Sequence, residues 1–159
     1  MRRTLFFVGA ILTGIAVAVA WAWMVSNPIP TRTVPDGATQ TINGITWHLD
    51  FMTEVSLDDP ALAETSVDDI EGATYILAQY TYSTSESTMV CSGNLLGDDR
   101  DWASTLVTPT SPGLTRACQD QTSATSQMVF TIPSSAVSEV RGLELTPLGV
   151  IIILSGQVH

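Results

Sequence analysis

Residues 41–55 read TINGITWHLDFMTEV, and this stretch decides the fold. Asn43-Gly44 sits between two runs that alternate apolar and polar residues. A two-residue loop joining twisted antiparallel strands needs positive φ at both positions, which Asn and Gly tolerate best. The second run alternates over its whole length: Ile45, Trp47, Leu49 and Phe51 on one side, Thr46, His48, Asp50 and Met52 on the other. A period of two predicts a half-buried antiparallel strand with the first set facing a core.

Outward from this hairpin the same grammar recurs. Residues 73–84, ATYILAQYTYST, are β-branched and aromatic and long enough for a central strand. Further strands are expected over 89–96, 101–106, 126–132, 142–146 and 150–154, with Gly97-Asp98-Asp99 as a tight turn and Pro133-Ser134-Ser135 as a break. Between them, residues 56–72 are acidic and loop-like, with room for a short helix near 61–64, and 107–122 read as a long connection. Residues 148–154, LGVIIIL, are too few to cross a bilayer and fit a buried strand. Seven or eight short strands with frequent turns and almost no helical periodicity predict an all-β, antiparallel β-sandwich over 39–159.

Ahead of it lies a segment of another kind. Leu5 to Val25 holds 21 residues without a charge, which as a helix would extend about 31 Å, the hydrocarbon thickness of a bilayer. Trp21 and Trp23 fall at its outer end, and Arg2 and Arg3 precede it, so the N-terminus is expected to stay cytoplasmic and the body to lie outside. Residues 1–25 are therefore read as a transmembrane signal-anchor helix, and the Pro-rich stretch 26–38 as a linker. The competing reading is a cleaved signal peptide, for which Ala18-Val19-Ala20 and Ala20-Trp21-Ala22 offer small-x-small sites. The long apolar run and the bulky tryptophans favour retention.

Charge narrows the partners. Past the apolar run, four arginines face sixteen carboxylates, a net −12. Such a surface repels phosphate backbones, so nucleic acid is excluded as a partner. Cys91 and Cys118 both fall in the exported part, where an even count reads as one disulfide, with free thiols or a metal pair as alternatives. Closing that loop would stabilise the fold by about 3.5 kcal/mol in the chain-entropy model.

No catalytic, cofactor or metal residue is assigned. Asp98, Asp99 and Asp101 bring three carboxylates together, but GDDRDW lacks the spacing of a calcium loop, and a solvated hairpin tip partly neutralised by Arg100 is expected. His48 falls on the side opposite Trp47 and Leu49, a surface position, and no Gly-x-Ser-x-Gly elbow accompanies it. No phosphate loop, zinc spacing or dinucleotide fingerprint is present. Tyr75, Tyr80 and Tyr82 on one strand could line a recognition face, though core packing is the commoner use of such residues.

Four pieces carry a resemblance: ATYILAQYTYSTS at 73–85, LLGDDRDWAS at 95–104, SPGLTRAC at 111–118 and QMVFTIPSSAVSEVRGLEL at 127–145. Their order resembles the immunoglobulin-like domains of unknown function in small exported proteins of Gram-positive bacteria, with secreted mycobacterial antigens as distant relatives. The resemblance implies an immunoglobulin-like sandwich displayed outside the cell and implies no catalytic residue. The expected function is a non-enzymatic, membrane-anchored module that binds another envelope protein or an extracellular ligand. The alternative is an accessory subunit contacting its partner through the N-terminal helix, where Ala10 and Gly14 form a small-xxx-small pair.

Overall fold

The computed structural model describes residues 13–22, 26, 28–60, 62, 67–88, 93–104, 114–115, 121–147 and 149–159. Two compact units divide at Pro30/Thr31. In the first, residues 13–22 are helical. Among the described residues no helix is long and apolar enough to cross a membrane. Residues 1–12 and 23–25 of the expected span lie outside the described set.

The second unit is a two-sheet β-sandwich. Its described strands are β1 (Thr31–Val34), β2 (Thr39–Ile42), β3 (Ile45–Val55), β4 (Ala73–Thr88), β5 (Gly93–Leu96), β6 (Asp101–Ala103), β7 (Leu114–Thr115), β8 (Gln121–Pro133), β9 (Gly142–Leu145) and β10 (Ile151–Ser155). Sheet A runs β1-β10-β9-β5-β6 and sheet B runs β2-β3-β4-β8-β7. The chain crosses between sheets from β4 to β5 and returns after β6. It crosses again from β8 to β9 through a 3-10 helix, Ser134–Glu139.

The Asn-Gly reading holds. Ile42 pairs with Ile45, leaving Asn43 (φ 51°) and Gly44 (φ 79°) as a two-residue turn with positive φ at both positions. The LGVIIIL stretch likewise supplies a sheet strand, β10, with Ile152 and Leu154 buried.

Alternation fails at one point in β3. Leu49 pairs with Tyr80 but Phe51 pairs with Gln79, so Asp50 is an extra residue in the ladder. This β-bulge reverses the sides that follow it. Met52 is 1% exposed and Phe51 37%, the opposite of the simple period-two reading.

The linker reading of 26–38 also needs correction. Thr31–Val34 pairs in parallel with Ile151–Leu154, and Val34 is buried in the core. The prolines on either side, Pro30 and Pro35, limit β1 to four residues without preventing it from forming. β7 is the other parallel partner, against β8, so the sandwich is not wholly antiparallel. The expected strand 101–106 is described only as Asp101–Ala103, and the short helix near 61–64 falls mainly on residues outside the described set.

The core lies between the sheets. Ile45, Trp47, Leu49 and Met52 of β3 meet Ile76, Ala78, Tyr80 and Tyr82 of β4 and Met128, Phe130 and Ile132 of β8 on one side. Leu95, Leu143, Leu145, Ile152 and Leu154 of sheet A close the other. A smaller cluster forms on the outer side of sheet B, where Leu62, Leu57 and Val67 cover Tyr75, Leu77 and Val129. Leu57, Leu62 and Val67 thus cover one part of that outer face, and the rest carries polar side chains and the exposed ring of Phe51.

Candidate functional site

Beyond the covered part, sheet B turns His48, Thr81 and Thr125 outward on adjacent strands, paired in register. The next row is Phe51, Gln79 and Gln127. The bulge places Asp50 between the rows, where its carboxylate reaches both. Asp50 Oδ2 accepts from Thr81 Oγ1 at 2.9 Å and from Gln79 Nε2 at 3.2 Å. Gln79 Oε1 accepts from Gln127 Nε2 at 2.9 Å, and Thr81 and Thr125 share a hydroxyl bond of 3.0 Å. The result is one connected array spanning three strands. Each bond contributes about 1 kcal/mol, and together they hold the side chains in fixed orientations.

His48 is oriented by the start of β2. Its Nδ1 lies 3.0 Å from the Ala38 carbonyl oxygen and 3.3 Å from Thr39 Oγ1. A carbonyl oxygen only accepts, so Nδ1 carries the proton. Nε2 then faces Asp50 Oδ1 at 3.8 Å. The histidine side chain is 36% exposed and the aspartate 21%. A depression of 320 Å³ opens here, lined by Thr39, Thr46, His48, Asp50, Thr81 and Ser83 together with Trp47. Thr39, the hydroxyl bonded to the ring, sits at the protonated nitrogen, so the imidazole does not act on it as a base.

The other residues singled out in the sequence go elsewhere. Asp98 is held by Arg141, with Nε to Oδ1 and Nη2 to Oδ2 both 2.9 Å. Arg100, expected to neutralise this turn, instead lies 3.7 Å from Glu139. Both oxygens of Asp98 are engaged, and among the described residues no group of three or more His, Cys, Asp or Glu could hold a metal ion. Arg141 also borders a 460 Å³ depression beside the 3-10 helix, but it donates as well to the Ser138 and Val140 carbonyls. Tyr80 and Tyr82 are core residues stacked 6.4 Å apart, and Tyr82 lies 5.6 Å from Trp47. Tyr75, one register step out of phase with them, is buried in the outer cluster with Leu57, Leu62 and Val67. Cys91 and Cys118 lie outside the described residues.

Sequence reasoning placed His48 on the surface and missed its company. Asp50 and Thr81 were visible as outward polar positions of β-type runs, but the bulge that aims the carboxylate has no mark in the sequence. Ala38 contributes only a backbone oxygen, which no side-chain pattern reveals.

No family model matches the chain. No curated protein matches it either. Among solved structures it is similar to an uncharacterized beta-sandwich protein from Clostridium difficile 630, at 11% identity and a TM-score of 0.46, over 82% of this chain and 97% of that one.

Proposed function

We propose that this protein is a membrane-tethered, extracytoplasmic β-sandwich that serves the cell envelope as a non-enzymatic binding module. The observation that carries the reading is the outer face of sheet B. Its hydrogen-bonded carboxylate, amides and hydroxyls present fixed donors and acceptors beside the exposed ring of Phe51. Preorganised polar groups next to an aromatic ring favour recognition, because little side-chain entropy remains to be lost on binding. The charge-free run 5–25 behind Arg2 and Arg3 supports tethering with the sandwich outside. An immunoglobulin-like connectivity is part of the proposal, supported by β4 pairing β8 in one sheet while β5 pairs β9 in the other.

A second reading is that the N-terminal helix itself is the contact and the protein is an accessory subunit of a membrane complex. Gly14 favours it: a side chain at that position would meet nothing within 4 Å. In the sequence Gly14 lies four residues after Ala10, the small-xxx-small spacing that allows close helix–helix approach.

Crosslinking in intact membranes separates the two. Three chains are compared: the unchanged protein, one whose residues 5–25 are replaced by an unrelated span, and one carrying Gln79→Ala and Gln127→Ala. The binding-module reading expects the crosslinked partner to survive the helix exchange and to be lost from the face variant. Loss on helix exchange alone supports the accessory subunit, and a partner indifferent to both changes overturns both readings.

A further inference from the structure

We propose that the outer face of sheet B takes a basic segment of a partner protein, with an arginine or lysine side chain lying against Phe51 and its charge met by Asp50. The inference deepens the binding reading and rests on it. It begins from the one group in the array that cannot donate. An ionised carboxylate only accepts, so Gln79 Nε2 and Thr81 Oγ1 are the donors to Asp50 Oδ2. The direction of the next bonds follows. With Gln79 Nε2 turned to Asp50, its Oε1 is left to accept from Gln127 Nε2. Thr81 has used its single hydroxyl hydrogen, so Thr125 donates to it.

Both runs therefore point toward Asp50, and their outer ends on β8 offer acceptors. Gln127 Oε1 and Thr125 Oγ1 accept from no group among the described residues. Chained hydrogen bonds polarise one another, so donation toward a carboxylate strengthens these terminal oxygens as acceptors. Asp50 Oδ1 joins them. His48 Nε2 lies 3.8 Å away, an ion-pair distance but too long for a hydrogen bond, so this oxygen keeps room for a donor. Each amide retains a further N–H, yet the balance of the face is acceptor and negative. The 320 Å³ depression beside Asp50 gives a guanidinium or ammonium group access to it.

Phe51 narrows the ligand further. Its ring is exposed and pairs in register with Gln79. An aromatic face attracts a cation held within about 6 Å of it. A carboxylate beside such a ring selects a positive charge carried on an apolar stem, which describes arginine and lysine. The described chain supplies no such group here. It has no lysine, Arg32 lies on β1 of sheet A, and Arg100 and Arg141 are engaged by Glu139 and Asp98. A net charge of −12 beyond the apolar run steers basic partners toward the domain and repels acidic ones.

The test titrates three probes into the full-length protein in detergent micelles while backbone and glutamine side-chain amides are followed by NMR. The probes are the peptide acetyl-Gly-Arg-Gly-Arg-Gly-amide, the same peptide with glutamate in place of arginine, and maltotriose as a neutral polyhydroxyl ligand. The arginine peptide is expected to shift the Gln79 and Gln127 side-chain amides saturably, and the glutamate peptide to leave them unmoved. Asp50→Asn should weaken binding about tenfold, the loss of a charge-assisted hydrogen bond, and Phe51→Ala about threefold. Asp99→Asn removes the same charge from the turn between β5 and β6 and should change affinity by less than about twofold. The backbone amides report whether each variant is folded, and Phe51→Ala, a surface change, decides the question if Asp50→Asn is not. Equal weakening by Asp50→Asn and Asp99→Asn, or shifts spread over the whole acidic surface, marks diffuse attraction and overturns the proposal. Shifts of the two glutamines by maltotriose and none by the arginine peptide overturn it as well, while leaving the face as a binding surface. No shift with any probe also overturns it, and membrane crosslinking of the chain carrying Gln79→Ala and Gln127→Ala then judges the binding reading on its own.

Discussion

Tyr75 illustrates what a single residue does here. Its hydroxyl donates to the Asp68 carbonyl at 2.7 Å and accepts from the Ile70 N–H at 3.1 Å, while its ring is buried in the small outer cluster. One side chain thus satisfies two backbone groups of the acidic loop and covers apolar surface of sheet B. Tyr75→Phe keeps the ring and removes both bonds, leaving those backbone groups to find water. A loss of about 1–2 kcal/mol is expected, with faster proteolytic cleavage across residues 67–70. Urea unfolding and a limited digest are the checks, and an unchanged midpoint with an unchanged digest would show that the loop is held by other contacts. Strand periodicity separates Tyr75 from Tyr80 and Tyr82 in the sequence. That Tyr75 is nonetheless buried was not legible, because its cover comes from a loop with no periodic pattern.

At the scale of elements, β3 sets the limits of sequence reading. Its existence, its length and its hairpin with β2 follow from Asn43-Gly44 and the alternation through Leu49. Its second half does not, because inserting one residue into the ladder leaves composition and hydropathy unchanged. The bulge at Asp50 buries Met52 and exposes Phe51, and it aims the Asp50 carboxylate at Thr81 and Gln79. Met52→Ala should therefore cost about 2–5 kcal/mol, as for other buried methionines, whereas Phe51→Ala should cost under about 1 kcal/mol. Chemical unfolding of the two variants measures this order. The reverse order would mean uninterrupted alternation and no bulge, and the His48–Asp50 geometry would fall with it. β1 was hidden for a different reason. Four residues between Pro30 and Pro35 read as linker, and the parallel partner that makes them a strand lies about 120 residues away in β10.

The whole molecule combines an apolar N-terminal segment with an acidic sandwich whose connection, once β1 is counted, is shorter than the prolines suggest. The class of the fold was legible, since turn chemistry and alternation are local properties. The order of strands within each sheet was not, because pairings such as β5 with β9 and β4 with β8 join residues more than 30 positions apart. The candidate site was legible only as outward polar positions, because its geometry depends on those distant pairings and on a backbone carbonyl. The proposed tether would place the polar face of sheet B outside the cell, and the binding reading depends on it. Intact-mass spectrometry of the protein recovered from membranes tests it most directly. A retained tether predicts a chain that still contains residues 5–25, whereas a mature form beginning at Trp21 or Trp23 would contradict it and show that the segment is a cleaved signal.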